Sequence, residues 1–276
     1  MTADLGNLRD PVVIAAFEGW NDAADAATEV VNHLAQTHST DMAWELDSED
    51  YYDFQTTRPR IELTEDGRQL RWPSTRVSVC HLAHRDLVLV AGPEPNLRWR
   101  GFCSALVSSF RTVRPSAVIL LGAMLTDTPH TRPLPVSASS TDERLISEIG
   151  IEPSNYEGPT GIIGVLAESC HRAKLECITL WASVPHYVAS PPNPKATLAL
   201  LTRVEDLIDE ALDPGELPEL TKAWQRGVDE LAEDDPEVAE YIQSLEEQQD
   251  SQGLPGSTGD TLAAEFQRYL RRRNEK

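Results

Sequence analysis

The sequence is poor in lysine, and it lacks the segments that identify several large classes of protein. Only four of its 276 residues are lysines, and the formal net charge is -21. Because nucleic acids and anionic membranes are bound by cationic surfaces, we expect neither as a partner. No stretch approaches the roughly 20 apolar residues that cross a bilayer, and residues 1–11 lack the basic flank and apolar run of a signal peptide. We therefore expect a cytoplasmic protein.

Signatures of nucleotide binding and of common catalytic sites are also missing. The chain has no GxSxG elbow, no Walker motif and no GxGxxG after its first apolar run. Its four cysteines have no CxxC spacing, so we expect buried, reduced thiols. His81-x-x-His84 and Cys170-His171 have no second ligand pair at a recognised zinc spacing. We therefore predict no metal and no cofactor, and we favour a protein without enzymatic activity.

Short apolar runs alternate with amphipathic segments along the first 212 residues. The apolar runs predict strands at 11–17, 76–82, 87–91, 117–122 and 177–184. The segments between them predict helices at 22–33, 97–113 and 161–173, followed by one that begins near Pro194. Asp66-Gly67 lies between two alternating runs, which is a hairpin signal. This alternation is typical of an α/β domain whose parallel or mixed sheet is covered on both faces.

The last third of the chain is strongly acidic, and we place a domain boundary near Asp213. Residues 205–250 carry 17 acidic side chains against two basic ones, a net charge of -15. Two amphipathic helices are expected at about 217–232 and 236–248, followed by a flexible tether at 251–259 and a last helix at 260–273. Two interpretations stay open, a solvated helical face or a docking surface for a basic partner.

Polar residues follow the predicted strands, where ligands bind in open α/β sheets. The candidate ligand or interface residues are Glu18, Trp20, Asn21, Asp22, His130, Arg132, Tyr156, Glu157 and His186. The loop 156–161 also precedes a helix whose N-terminal amides are suited to an anion. Each has a structural alternative: Asp22 is a good N-cap, Asn21 is a good turn residue, and three prolines stiffen the loop around His130. No catalytic residue is assigned.

Five longer segments resemble the actinobacterial branch of the proteasome assembly chaperone 2 (PAC2) family. They are GWNDAAD (19–25), PNLRWRGFC (95–103), LGAMLTDTPHTRPLPV (121–136), YEGPTGIIGVL (156–166) and LWASVPHYVASPPNPKATLALL (180–201). The likeness extends over about residues 10–250. It implies a three-layer α/β/α sandwich with a mixed sheet, similar to the phosphorylase/nucleosidase architecture, followed by a helical C-terminal extension.

The resemblance and the loops lead to two hypotheses of function. The resemblance implies a non-enzymatic interaction protein, expected to be a homo-oligomer, whose partners are proteasome-like subunits by analogy. Chaperones of this group that dock onto proteasome rings often end in a hydrophobic-Tyr-X tail, whereas this sequence ends Arg273-Asn274-Glu275-Lys276. The loops instead suggest a small-molecule-binding protein or enzyme, with a pocket at the strand ends.

Overall fold

The computed structural model describes residues 5–64, 67–154 and 156–251. The strands are β1 (Val12–Glu18), β2 (Thr40–Glu45), β3 (Arg60–Thr64), β4 (Gly67–Arg71), β5 (Arg76–His81), β6 (Asp86–Pro93), β7 (Ala117–Thr126), β8 (Val136–Ser140), β9 (Glu152–Pro153) and β10 (Cys177–Pro185). The helices are α1 (Ala26–Thr37), α2 (Ser48–Tyr51), α3 (Trp99–Val113), α4 (Glu143–Ile149), α5 (Ile162–Arg172), α6 (Pro194–Ile208), α7 (Leu217–Glu233) and α8 (Pro236–Ser251). Two short 3-10 turns cover Ala23–Asp25 and His186–Val188.

Eight of these strands form a mixed sheet in the order β2-β5-β6-β1-β7-β10-β8-β9. Strand β1 pairs in parallel with β6 and β7, whereas β5 is antiparallel to β2 and β6. The first six side chains of β1 are all buried. Because successive side chains of a strand point to opposite faces, both faces of the sheet are covered at β1. Helices cover both faces, which confirms the α/β fold with a mixed sheet.

The chain divides into two compact units. Among the described residues, unit 1 comprises 5–22, 31–122 and 138–180, and unit 2 comprises 23–30, 123–137 and 181–251. Unit 1 contains most of the large sheet, with α3 and α5 packed against each other. Unit 2 contains α6, α7 and α8 together with the last residues of β7 and β10. The boundary near Asp213 stays a prediction about which part of the chain folds alone.

The local elements differ from the sequence predictions in ways that have a physical cause. The first helix begins at Ala26, because Ala24 and Asp25 have φ angles of 55° and 57° and interrupt helical geometry. Asp22 does not begin that helix, and its backbone N–H instead donates to Gly19 O at 3.0 Å. Strand β2 was not predicted, because as an edge strand it has mostly solvated side chains and lacks an apolar run.

The predicted hairpin and C-terminal helices are confirmed where the structure describes them. Strands β3 and β4 pair in antiparallel register from Arg60↔Arg71 to Thr64↔Gly67. Helices α7 and α8 are present as expected, while the predicted tether beyond Ser251 and the helix at 260–273 lie outside the described residues. Among the described helices, none combines the length and the apolar character needed to span a bilayer.

Candidate functional site

The loop after β1 turns sharply and directs its polar side chains into unit 1. Gly19 has a φ of 101°, a left-handed conformation that suits glycine, and it ends the strand. Trp20 projects outward with 68% of its surface exposed, whereas Asn21 is 1% exposed. Of the four candidates in this loop, Glu18 and Trp20 are therefore open to solvent, and Asn21 and Asp22 are buried.

Glu94 was not selected from the sequence, yet it joins three segments of unit 1. It follows β6, and its Oε1 accepts hydrogen bonds from Asn21 Nδ2 at 2.7 Å and from the backbone N of Ile162 at 2.8 Å. Ile162 is the first residue of α5, where a carboxylate satisfies an unpaired N–H and complements the helix dipole. The N-terminus predicted to suit an anion is thus capped by a carboxylate of the protein itself. Its position directly after a buried strand is the sequence signal by which this acidic residue could have been found.

Gly161 allows Asn21 to reach this position. A Cβ atom on Gly161 would lie 2.2 Å from Asn21 Oδ1, well inside van der Waals contact. Close approach, rather than backbone conformation, therefore requires glycine here, since its φ is -90°. In the adjoining loop, Tyr156 and Glu157 are exposed, and the Tyr156 hydroxyl donates to Pro159 O at 2.8 Å.

A groove of about 1040 Å³ runs through unit 1 between the large sheet and the β3–β4 hairpin. The sheet side contributes Glu18, Glu45, Arg76 and Glu94, and the hairpin side contributes Arg58, Arg60, Glu62, Gln69, Leu70, Arg71 and Trp72. The hairpin is anchored at its base, where the ring centroids of Phe54 and Trp72 lie 4.7 Å apart. Asn96 also holds the preceding segment, because its Oδ1 accepts from Asp53 N at 3.0 Å and from Thr57 Oγ1 at 2.9 Å.

The hairpin exposes an apolar face. Residues directly opposite in an antiparallel pair share a face, as do residues two apart in one strand. Ile61 lies opposite Leu70, and Leu63 is two residues from Ile61, so these three side chains lie on one face. They are 54%, 54% and 86% exposed for Ile61, Leu70 and Leu63, respectively. We call this set the apolar hairpin face.

The candidates of unit 2 lie in a network of hydrogen-bonded side chains. His130 is 1% exposed. The Tyr187 hydroxyl accepts from the His130 backbone N–H at 2.7 Å and contacts His130 Nδ1 at 2.8 Å. The other ring nitrogen, Nε2, lies 2.9 Å from Asp229 Oδ1 in α7. A neutral ring that accepts from Tyr187 and donates to Asp229 satisfies every contact. Burial lowers the pKa of His130, although Asp229 opposes that change.

Arg132 and His186 also contact the helices of unit 2. Arg132 makes a bidentate ion pair with Asp250 at 3.0 and 2.9 Å, and its Nη1 lies 3.3 Å from Glu246 Oε1. His186 is more exposed, and its Nδ1 lies 3.3 Å from Asp127 Oδ1. The ring of His186 also packs edge-on against the ring of Tyr241 in α8, with 5.4 Å between the ring centroids. Helices α7 and α8 therefore supply acidic and aromatic partners to the loops that sequence analysis singled out.

Lys195 is a further residue of this network that sequence analysis missed. Its Nζ donates to His130 O at 2.5 Å and to Gln225 Oε1 at 3.1 Å. Burial lowers the pKa of Lys195 to about 8, and Asp229 works in the opposite direction. No local pattern indicated it, because its partners lie 30 and 65 residues away in the chain.

Cys80, Cys103, Cys170 and Cys177 are free and buried, as expected. Among the described residues, no three His, Cys, Asp or Glu side chains are grouped as metal ligands would be.

Comparison with known proteins places the chain among proteins of related fold and sequence. The PAC2 family model matches residues 16–232. A PAC2 family protein from Streptomyces avermitilis is 53% identical, covers 84% of this chain and 100% of its own, and superposes with a TM-score of 0.80. A proteasome-assembly chaperone homologue from Mycobacterium tuberculosis is 46% identical. The match covers 84% of this chain and 99% of the homologue, with a TM-score of 0.77. The comparison with curated proteins found no match.

More distant structures share the fold alone. An archaeal proteasome activator from Pyrococcus furiosus is 17% identical, with a TM-score of 0.65 over 82% of this chain and 94% of its own. Its low identity carries no information about activity. The family model covers far more than half of the chain, and the relatives from Streptomyces avermitilis and Mycobacterium tuberculosis agree with it. The chain therefore belongs to the PAC2 family.

Proposed function

We propose that this protein is a non-enzymatic interaction protein that binds other protein chains and assists the assembly of proteasome-like subunits. The apolar hairpin face carries the proposal. Ile61, Leu63 and Leu70 are more than half exposed on a sheet of only two strands. Two isolated strands are marginally stable in water, and grouped exposed apolar side chains mark protein-binding sites. The name of the relative from Mycobacterium tuberculosis, a proteasome-assembly chaperone homologue, supports the choice of partner.

The alternative, a small-molecule site at the strand-end loops, has less support from the side chains that suggested it. His130 has both ring nitrogens engaged by Tyr187 and Asp229, and Arg132 is held by Glu246 and Asp250. A ligand carboxylate or phosphate would have to displace these partners. The expected homo-oligomer and the expected cytoplasmic location stay predictions that accompany the proposal.

The acidic helices fit this proposal as structural elements of unit 2. Several of their carboxylates are engaged within the chain, including Asp229, Glu246 and Asp250. Others, such as Glu230 and Glu237, remain on the solvated side. We therefore assign protein recognition to the hairpin of unit 1 rather than to a basic partner of α7 and α8.

A binding measurement with proteasome α and β subunits from the same organism tests the proposal. The full-length protein is compared with a triple variant, Ile61→Ser, Leu63→Ser and Leu70→Ser, by sedimentation of mixtures. Leu220→Ser with Leu231→Ser in α7 is the matched control, because these side chains are 49% and 65% exposed but lie outside the hairpin. We expect the triple variant to weaken binding at least about tenfold and the control to retain it.

Two results would contradict the proposal. One is the absence of a complex between the wild-type protein and either subunit. The other is equal binding by the triple variant and the wild type. Circular dichroism of both variants shows whether they stay folded, which we expect because every substituted side chain is exposed.

A further inference from the structure

We infer that the β3–β4 hairpin binds its partner by accepting an extended segment as a third strand, and that apolar and acidic residues alternate in that segment. The inference rests on the proposed function, since it describes how a partner protein is recognised at the hairpin. It adds the chemical character of the bound segment, which neither the family nor the relatives specify.

The backbone of the hairpin has two free edges. Strands β3 and β4 pair only with each other in the described part of the chain. Alternate residues of an antiparallel strand turn their N–H and C=O groups away from the partner strand. Each outer edge therefore presents a row of backbone donors and acceptors, which is the feature that β-strand addition uses.

The two faces of the hairpin differ in chemistry. Ile61, Leu63 and Leu70 lie on its apolar face, which Arg68, opposite Leu63, shares. Its opposite face carries Arg60, Glu62, Gln69 and Arg71, which all line the groove together with Leu70. A strand added to either edge continues both faces, because its side chains alternate in the same way. Its residues therefore lie in turn beside apolar side chains and beside the groove.

The groove side of the hairpin carries unpaired positive charge. Arg71 donates to both carboxylate oxygens of Glu62 at 2.8 Å, so these two charges neutralise each other. Arg58 and Arg60 also line the groove, and among the described residues neither guanidinium group has a hydrogen bond or an ion pair. Acidic side chains of an added strand meet these guanidinium groups, which bind carboxylates in bidentate geometry.

Charge also distinguishes an acidic segment of a partner protein from two other possible occupants of the hairpin edge. These are the C-terminal residues of this chain and a second copy of the hairpin. Residues 268–276 carry five basic side chains and one acidic side chain, so they have the wrong sign for Arg58 and Arg60. Residues 252–267 carry two acidic side chains, Asp260 and Glu265, which are an odd number of positions apart and would lie on opposite faces of a strand.

Edge-to-edge pairing of two copies through β4 brings only arginines of the two hairpins together, which is unfavourable. Pairing through β3 places Arg60 of one copy opposite Glu62 of the other, so the oligomer size of the triple serine variant, described below, tests that arrangement. An acidic segment of a different protein matches both faces.

Synthetic peptides test the alternation directly on the full-length protein. The probe is a fluorescein-labelled seven-residue peptide of alternating glutamate and valine, measured by anisotropy at low salt (about 20 mM). A peptide of the same composition with its glutamates and valines in separate blocks tests the pattern. A lysine–valine peptide tests the sign of the charge. Two N-methylated versions, each blocking alternate amides, test whether one backbone edge is paired.

We expect the alternating glutamate–valine peptide to bind at least about tenfold more tightly than the block peptide, and the lysine–valine peptide not to bind. Methylation of one set of amides should abolish binding, while methylation of the other should leave it unchanged. Arg60→Gln should weaken binding of the alternating peptide. Arg100→Gln in α3 is the matched control, since it removes an exposed guanidinium that does not line the groove.

Equal binding of the alternating and block peptides, or equal effects of both methylations, would overturn strand addition. A smaller oligomer formed by the Ile61/Leu63/Leu70 triple serine variant would also overturn it, because a second copy would then cover the hairpin. The proposed function fails independently, if the proteasome subunits do not bind while the alternating peptide does. The opposite outcome is that the subunits bind through the apolar hairpin face while the alternating and block peptides bind equally. That result would support the proposed function and contradict strand addition.

Discussion

Glu94 lies 2.8 Å from the backbone N of Ile162, so a loop residue that follows β6 caps a helix that begins 68 residues later. The same carboxylate oxygen accepts from Asn21 Nδ2 at 2.7 Å. Three loops of unit 1, at Asn21, Glu94 and Gly161, are therefore fixed to one another by a single acidic side chain.

Replacing Glu94 by alanine should lower the free energy of unfolding by about 1–3 kcal/mol. The loss arises because both the α5 N-terminus and Asn21 Nδ2 lose their acceptor. Urea unfolding followed by tryptophan fluorescence measures the change. Glu157→Ala removes an exposed carboxylate from the neighbouring loop and should change the value by less than about 0.5 kcal/mol. Equal effects of the two substitutions would remove the capping role.

Adding one methyl group should have opposite effects at two glycines, one that precedes helix α5 and one inside helix α7. Gly161→Ala should destabilise the protein by about 1–3 kcal/mol, because its Cβ would lie 2.2 Å from Asn21 Oδ1. Gly227→Ala in α7 should stabilise it by about 0.5–1 kcal/mol, since nothing lies within 4 Å of the added atom and alanine is the better helix former. The same urea measurement compares them, and a stabilised Gly161→Ala protein would show that Asn21 moves freely.

Asp86 should make stability depend on pH in the acid range. Burial favours its neutral form, but hydrogen bonds from the Arg9 side chain and backbone and from His81 lower the pKa of Asp86 to about 2. Because this pKa lies below that of an unfolded Asp, the stabilisation is complete above about pH 5 and is lost as pH falls through the folded-state pKa.

The Asp86→Asn variant measures that contribution. Its free energy of unfolding should be about 2 kcal/mol below that of the wild type at pH 7, and about half of the difference should remain at pH 3. Asp53→Asn, which alters an exposed segment of the same unit, serves as the control for pH effects elsewhere. A difference that does not change between pH 7 and pH 3 would rule out an Asp86 carboxylate with a lowered pKa.

Two tyrosines of unit 2 should respond differently to loss of the hydroxyl group. Tyr187→Phe leaves the backbone N–H of buried His130 without its acceptor and should cost about 1–3 kcal/mol. Tyr241→Phe removes only an exposed hydrogen bond to Asp127 at 3.2 Å and should cost less than about 0.5 kcal/mol. Thermal unfolding of both variants measures the two losses. An equal or larger loss for Tyr241→Phe would show that the hydrogen bond from His130 N–H to Tyr187 does not stabilise the protein.

The sequence by itself determined the elements that have strong local signals. Apolar runs identified β1, β6, β7 and β10, because strands buried on both faces need apolar residues at every position. Asp66-Gly67 identified the β3–β4 hairpin, since the turn signal and the pairing lie within a few residues. Weak or solvated strands such as β2 escaped prediction, because their side chains carry no apolar pattern.

Only the tertiary structure decided what the polar residues do. Asn21 and His130 were chosen from the sequence as candidate ligand or interface residues, but their partners Glu94, Tyr187 and Asp229 come from distant parts of the chain. A hydrogen bond depends on distance and angle between two groups, and a local sequence pattern specifies neither. Hydrophobic periodicity repeats along one segment and is readable from it, whereas pairing across 73 to 99 residues exists only once the chain has folded.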